Sequence, residues 1–196
     1  MNKMHKGVEV IEFSEQNQFY QWLSLNYNSR DTIWVRFFKK GSNVKCITIG
    51  EAVEVALCWG WIDGLLNKFD DLSYVVRFTP RRKKSVWSKI NVEKVDKLIQ
   101  AGMMQEPGLK QVEAAKADGR WEKAYAGQSQ MEIPDDFILA LKQDETALET
   151  YEKMSRSGKY VIFYRLNGVA DGDKRSLKIA KLIAKIKSDP AAFGVK

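Results

Sequence analysis

EAVEVALCWGWIDGLLNKFDDLSYVVRFTPRRKKSVWSKIN, residues 51–91, is the stretch that decides the fold of this 196-residue chain. β-branched and aromatic residues predict two strands, Trp61 to Lys68 and Ser73 to Thr79, around a turn at residues 69–72. Pro80 ends the second strand, because proline has no N–H for a strand ladder. The stretch also holds three tryptophans, one cysteine and a basic run: Trp59, Trp61, Trp87, Cys58 and residues 81–84.

The segments before the hairpin predict further strands and helices. Residues 32–40, TIWVRFFKK, are rich in β-branched and aromatic residues and predict a strand, with a short second strand at Lys45 to Ile49. A helix is predicted from residue 15 to 26 with Ser14 as its N-cap. Another is predicted from Gly50 to Trp59, with Gly60 in the left-handed position that ends a helix. These elements predict an α+β fold with a small, mainly antiparallel sheet and packed helices.

Beyond the hairpin the sequence favours helices alone. Asn91 is the expected N-cap of one helix, and another begins near Pro107. Residues 127–134, GQSQMEIP, have the composition of a linker, and four further helices are predicted after it, the last at about residues 171–187. We therefore predict an N-terminal α+β domain over residues 1–128 and a helical C-terminal module over residues 129–196.

Composition narrows the possible chemistry. The single histidine, His5, lies in a segment expected to fray, so Ser-His-Asp and Cys-His catalysis are not expected. The spacing of Cys46 and Cys58 matches no zinc site, and two cysteines give no disulfide framework. No metal or cofactor is expected, and the sequence leans away from an enzyme. A net charge of +7 favours anionic partners.

The sequence also bears on where in the cell the protein is found. The N-terminus lacks an apolar stretch of signal-peptide length, and no run approaches the roughly 20 apolar residues of a membrane span. We expect a cytoplasmic protein without membrane insertion. The oligomeric state stays open.

Three segments resemble the YdeI/OmpD-associated family, also called the bacteriocin-protection family. They are EAVEVALCWGWIDG (51–64), RFTPRRKKSVWSKIN (77–91) and AGMMQEPGLKQVEAAKADGRWEKAY (101–125). The region from Ile133 onward is similar to the helical C-terminal module of that family, while residues 167–175 depart from its pattern. The resemblance implies a link to bacteriocin protection and implies no established reaction or catalytic residue.

The candidate site lies between the hairpin and the basic run. Arginines beside hydroxyl groups can bind phosphate or carboxylate oxygens, although a charged run is usually a solvated turn. Asp63 and Arg77 pair only if the hairpin register allows it, and the tryptophans are either an aromatic wall or core residues. The predicted ligand-binding residues are Trp61, Asp63, Arg77, Thr79, Arg81, Ser85, Trp87 and Asn91.

Two functions are consistent with the charge and with these residues. The first is binding of a small anionic ligand or an acidic peptide at the candidate site. In this hypothesis Asp63 and Arg77 orient one another on the sheet, and the donors to the anion are a solvated Arg81, Ser85 and Asn91. The second is nucleic-acid binding through the basic run and the lysine-rich last helix, with an affinity that falls steeply with salt.

Overall fold

The structure, a computed structural model, describes residues 3–128 and 130–195. It divides into two compact units, Met1–Ala124 and Tyr125–Lys196. The boundary predicted between residues 128 and 129 stays a prediction, and Ser129 itself lies outside the described residues. Each unit has a hydrophobic core of its own.

The N-terminal unit is built on a five-stranded sheet in the order β1-β2-β3-β5-β4. Helix α1 (Gln16–Asn26) joins β2 to β3 as a crossover, so these two strands are parallel, while every other neighbouring pair is antiparallel. The predicted α+β fold with a mainly antiparallel sheet is confirmed. The strands are β1 (Lys3–His5), β2 (Val8–Glu12), β3 (Ile33–Phe38), β4 (Trp61–Lys68) and β5 (Ser73–Pro80).

The four α-helices of this unit form one buried core with one face of this sheet. Alternate residues of β3, namely Ile33, Val35 and Phe37, enter the same buried cluster as the apolar sides of the helices. The opposite face carries a smaller buried cluster around Trp34. Besides α1, the helices of this unit are α2 (Ile49–Cys58), α3 (Lys89–Gln100) and α4 (Glu106–Ala117).

Helix α4 approaches the C-terminal end of α2 so closely that only glycine fits at the contact. A Cβ atom on Gly108 would lie 2.3 Å from the backbone oxygen of Cys58. The same oxygen accepts a hydrogen bond from the backbone N–H of Gln105 at 3.0 Å. At this point the backbones of the two helices are therefore in direct contact.

Three local predictions in this unit are wrong. The segment Lys45 to Ile49 forms no strand, because Thr48 caps α2 in a reciprocal capping box with Glu51. Helix α1 begins after Glu15, and the backbone N–H of Ser14 donates to the Gln18 side chain instead. Helix α3 is capped by Ser88, not by Asn91.

The C-terminal unit is helical, as predicted. Apolar residues of all its helices form one buried cluster that includes Phe137, Ile162 and Phe193. Gly158 lies against the backbone of Phe193, whose oxygen would be 2.0 Å from an added Cβ. Within the described residues, none of the helices is long and apolar enough to cross a membrane. The helices are α5 (Asp135–Leu141), α6 (Glu145–Glu152), α7 (Arg156–Leu166) and α8 (Asp173–Ser188).

Candidate anion-binding site

The register of the β4–β5 hairpin separates two residues that the site hypothesis had paired. Asp63 lies opposite Phe78, and the register then shifts because two residues of β4, Gly64 and Leu65, face the single residue Arg77. Directly opposite residues share a face, so Asp63 points with Phe78 toward the helices and Arg77 points away from them. Arg77 Nε instead donates to Thr32 Oγ1 at 2.9 Å. The predicted mutual orientation of Asp63 and Arg77 is wrong.

Asp63 is the titratable group of this region whose environment is most unusual. Burial raises the pKa of its carboxyl group above the usual range. A hydrogen bond from its own backbone N–H and the positive charge of Arg81 oppose this rise. The Asp63 carboxyl group is thus partly buried and lies within the electrostatic influence of Arg81, the first residue of the basic run.

Arg81 is not the solvated arginine that the basic run suggested. Arg81 is only 6% exposed, and the centre of its guanidinium group lies 3.6 Å from the ring centroid of Trp87. Its Nη2 donates to the backbone oxygen of Val86 at 2.8 Å, and its backbone N–H donates to the oxygen of Gly60 at 2.9 Å. Arg81 therefore holds the loop closed and is not a donor on its surface.

The outward-facing part of the loop is the basic turn, which we define as residues 82–84. All three of its residues, Arg82, Lys83 and Lys84, are exposed. The backbone N–H of Arg82 donates to Ser85 Oγ at 3.0 Å, and Arg120 Nη1 donates to the backbone oxygen of Ser85 at 2.8 Å. Ser85 thus holds the turn in shape from within.

The two tryptophans predicted to flank the site are both buried. Trp61 lies in the main core and donates from Nε1 to the backbone oxygen of Tyr27 at 3.1 Å, so its role as a wall of the site is wrong. Trp87 lies beneath Arg81 and contacts Trp121 edge to face, with ring centroids 4.9 Å apart. The Nε1–H of Trp87 is buried and has no acceptor among the described residues.

The structure therefore brings together only part of the predicted site. Arg81, Ser85 and Trp87 lie in one loop, with Asp63 close enough for its charge to interact with that of Arg81. The partly buried Thr79 pairs with Ile62 in the hairpin. Asn91 belongs to the first turn of α3, where its backbone N–H is capped by Ser88.

Sequence reasoning missed a second polar cluster, on the sheet face that the helices leave uncovered. Arg36, in the middle of β3, is 8% exposed. It donates from Nε to Ser73 Oγ (2.8 Å), from Nη1 to Glu12 Oε1 (2.6 Å) and from Nη2 to Asp70 Oδ2. The one available signal was an arginine inside the apolar run IWVRFF, at a position where a strand of this composition is buried.

His5 also differs from its prediction. It is the last residue of β1, paired with Val8, and its ring packs edge to face on Trp34 with centroids 4.7 Å apart. Its Nε2 lies 3.1 Å from the side chain of Asn67. The expected fraying of this segment is wrong, because the aromatic contact holds it on the sheet.

The two cysteines are free thiols in different surroundings. Cys58 is buried in the main core, where burial and then the charge of Glu54 raise the pKa of its thiol to about 11. Cys46 is partly exposed, and its Sγ accepts the backbone N–H of Phe38 at 3.4 Å. Cys58 is therefore a structural residue, as predicted.

This difference gives a first testable prediction. At about pH 8, a thiol reagent such as 5,5′-dithiobis(2-nitrobenzoic acid) is expected to react with Cys46 and to leave Cys58 unmodified until the chain unfolds, because only the thiolate reacts and Cys58 is buried and protonated. The time course of released thionitrobenzoate measures this. Cys46→Ser should abolish the fast phase, and fast modification of both thiols in the folded chain would contradict the structure.

Across residues 3–128 and 130–195, no group of three or more His, Cys, Asp or Glu side chains could hold a metal ion. The main chemical feature of the predicted ligand-binding site is the basic run, with its exposed basic turn.

The fold defines an α+β protein whose sheet domain carries a cationic turn and is followed by a helical unit. Residues 11–111, more than half of the chain, match the family model described as "Domain of unknown function (DUF8412)", and the chain belongs to that family. Residues 130–189 match the model described as "Bacteriocin-protection, YdeI or OmpD-Associated". That match confirms the family resemblance, whereas segments 51–64 and 77–91 fall within the first match. None of the curated proteins and none of the solved structures compared with the chain matches it.

Proposed function

We propose that the chain is a binding protein that holds a small anionic ligand or an acidic peptide on the basic turn. The observation that carries the proposal is the state of the three cations there. Arg82, Lys83 and Lys84 are adjacent and exposed, and within the described part of the chain no carboxylate lies at ion-pair distance from any of them. Three neighbouring cations that repel one another favour a multivalent anion as their partner.

The buried neighbours of the turn support the same proposal. Arg81, stacked on Trp87 and bonded to Val86, limits the conformations that the turn can adopt. A preorganised turn loses less conformational entropy on binding than a flexible one. In this proposal Arg81 and Trp87 support the site, and the ligand contacts residues 82–84.

The chemistry of the turn indicates the class of ligand. A guanidinium group binds two oxygens of a phosphate or carboxylate at once, and two ammonium groups add charge without fixed geometry. Because all three side chains are in contact with solvent, the affinity should be modest and should decrease as salt is added. The description of the family model matched by residues 130–189 names bacteriocin protection, and we propose that the binding serves such a role.

Nucleic-acid binding is the second candidate. It is favoured by the row of lysines along α8, of which Lys174, Lys178 and Lys181 are exposed. This candidate requires affinity for oligonucleotides that falls steeply as salt increases. Triple variants of the basic turn and of the α8 lysines distinguish the two candidates.

The decisive experiment compares two triple variants that remove the same charge. Arg82→Ala/Lys83→Ala/Lys84→Ala is expected to weaken binding of inorganic tripolyphosphate about tenfold or more at low salt, because charge-assisted contacts are each worth roughly 1.5–3 kcal/mol when partly buried and less when exposed. Titration calorimetry measures the affinity. Lys174→Ala/Lys178→Ala/Lys181→Ala, with the same loss of three charges, should change it by less than about threefold.

The comparison of the two variants shows whether the anion binds at the basic turn or responds only to the net charge of the protein. Equal weakening in both variants would mean that only net charge matters, and the proposed site would be withdrawn. No binding of tripolyphosphate or of a polyglutamate peptide to the unsubstituted chain would also end the proposal. Binding of single-stranded or duplex oligonucleotides that disappears only in the α8 variant would favour the second candidate.

A further inference from the structure

The C-terminal unit contains a groove that is lined entirely by residues of that unit. We call it the α5–α8 groove, since helices α5 and α8 and the residues that follow α5 form its walls. Its volume is about 550 Å³. Its lining includes Asp136, Ala140, Asp144, Ile179, Ile183 and Lys187.

The floor of the α5–α8 groove is apolar. Ile179 and Ile183 come from α8, one turn apart, and Ala140 faces them from α5. Ala180 and Ala184 are exposed, so the groove wall continues onto the surface of α8. Small side chains on the wall allow another backbone or a large apolar side chain to approach closely.

Two exposed leucines extend this apolar surface. Leu177 is 57% exposed, and it shares a face of α8 with Ala180 and Ala184 because residues three and seven apart align on a helix. Leu139, next to Ala140 in α5, is 63% exposed. An apolar groove with leucines on both sides is typical of a protein interaction surface.

Some charged side chains around the groove form ion pairs, whereas the lysines beside it form none within the described residues. At its ends, Arg175 is paired with Asp136 and Lys187 with Asp144. The acidic groups of the lining are therefore already neutralised. Beyond the Leu177 side of α8 runs a lysine row of Lys174, Lys178, Lys181 and Lys185, none of which forms an ion pair among the residues that the structure describes.

We infer that the α5–α8 groove binds an amphipathic helix of a partner protein, with an apolar stripe in the groove and a row of Asp or Glu facing the lysine row. Helix-in-groove recognition uses apolar anchors at positions i, i+3, i+4 and i+7, which matches an apolar channel between two helices. Acidic groups on one flank of the partner would complement the lysines and fix its direction.

The dimensions of the groove suit this occupant. From Ser176 to Lys187 the lining extends over twelve residues of α8, and the eleven steps between them span about 16 Å at a rise of 1.5 Å per residue. That length corresponds to about three turns of a partner helix. A nucleic acid would use the lysine row but has no apolar stripe for the groove, so the juxtaposition of the two favours a protein helix.

The test uses the full chain and three synthetic fluorescein-labelled peptides of about four helical turns. The first has leucines at helical spacing and glutamates along one flank. The second has the same composition in scrambled order, and the third has lysines in place of the glutamates. Fluorescence anisotropy should show saturable binding of the first peptide and at least about tenfold weaker binding of the other two.

Variants of the chain locate the binding. Ala180→Glu should weaken the glutamate peptide about tenfold or more, and it should strengthen the lysine peptide, because it puts a carboxylate at the exposed wall of the groove. Lys174→Ala/Lys178→Ala/Lys181→Ala should weaken the glutamate peptide severalfold and reduce its salt dependence. The triple variant of the basic turn removes the acidic-peptide site of the proposed function, and in that background Ala180→Glu should still weaken the glutamate peptide about tenfold or more.

Several results would overturn the inference. These are no saturable binding of the glutamate peptide, equal binding of the scrambled peptide, or no effect of Ala180→Glu in either direction. Oligonucleotide binding that depends on the lysine row, without peptide binding, would assign the row to nucleic acid. Self-association that Ala180→Glu abolishes would assign the groove to a second copy of the chain.

Discussion

Gly108→Ala is expected to lower the free energy of unfolding of the N-terminal unit by about 3 kcal/mol, at the upper end of the usual cost of overpacking. The added Cβ would lie 2.3 Å from the oxygen of Cys58 and 2.7 Å from that of Leu57. Both are backbone atoms, so no side-chain rotation relieves the contact and α4 must move away from α2. The higher helix propensity of alanine, worth about 1 kcal/mol, offsets only part of this cost. Chemical denaturation followed by tryptophan fluorescence measures the change.

The chain provides a matched control for this substitution. Gly50 also lies in a helix, α2, but the nearest atom to its added Cβ is Thr48 Oγ1 at 3.7 Å, an ordinary contact. Gly50→Ala should therefore stabilise the chain by about 0.5–1 kcal/mol, since only the propensity term remains. If both substitutions had the same effect, the close backbone contact between α2 and α4 would be disproved.

Arg36→Met is expected to cost about 2–3 kcal/mol in the free energy of unfolding, although methionine fills a similar volume. Removing one partner of a buried ion pair costs roughly 3–5 kcal/mol because a charge is left uncompensated. We expect less here, since the side chains of Glu12 and Asp70 are 38% and 43% exposed and water can solvate them. Arg82→Met, at an exposed arginine, is the control and should change stability by less than about 0.5 kcal/mol.

The same cluster predicts how this cost depends on pH. Burial raises the pKa of Glu12, but hydrogen bonds from Lys3 and Arg36 outweigh it and hold the pKa below its usual value. A hydrogen bond from Ser73, with help from Arg36, likewise holds the pKa of Asp70 below its usual value. A carboxyl group whose pKa is lowered by folding stabilises the folded state above its unfolded pKa and loses that contribution as the pH falls through its folded pKa.

The difference in stability between the unsubstituted chain and Arg36→Met should therefore begin to shrink as the pH falls below about 4.5, and it should continue to shrink as the pH falls through the lowered pKa values of the two carboxyl groups in the folded chain. Denaturation midpoints measured at several pH values between about 3 and 7 test this. A difference that stays constant over this range would mean that Arg36 stabilises the sheet by packing alone, and not through its two carboxylate partners.

The parts of the fold that were predicted correctly are those encoded by local patterns. The hairpin and β3 follow from runs of β-branched and aromatic residues, and the helices from their apolar spacing. The short strand predicted at Lys45 to Ile49 failed for a local reason as well. Thr48 and Glu51 stand three residues apart and form a capping box, which was the stronger signal.

The details of the candidate site depend on contacts that are distant in sequence. Arg81 is buried because the loop folds it onto Trp87, which a run of basic residues does not reveal. Arg36 finds its partners Glu12 and Asp70 at sequence distances of 24 and 34 residues. The pairing of Asp63 with Arg77 failed because a single extra residue in β4 changes the register. The sequence signal at that position was Gly64, since a glycine inside a strand pattern often marks a bulge.

The bulge in β4 also bears on the tendency of the protein to aggregate through the edge of its sheet. β4 is an edge strand of the sheet, and Leu65 and Leu66 on it are exposed. A flat apolar edge of this kind invites strand addition and aggregation, because its free N–H and C=O groups form a template for another strand. The bulge at Gly64 and Leu65 interrupts that template in its middle and increases its twist. The departure from regular pairing thus protects the protein against edge-to-edge assembly at the place where its exposed leucines would otherwise promote it.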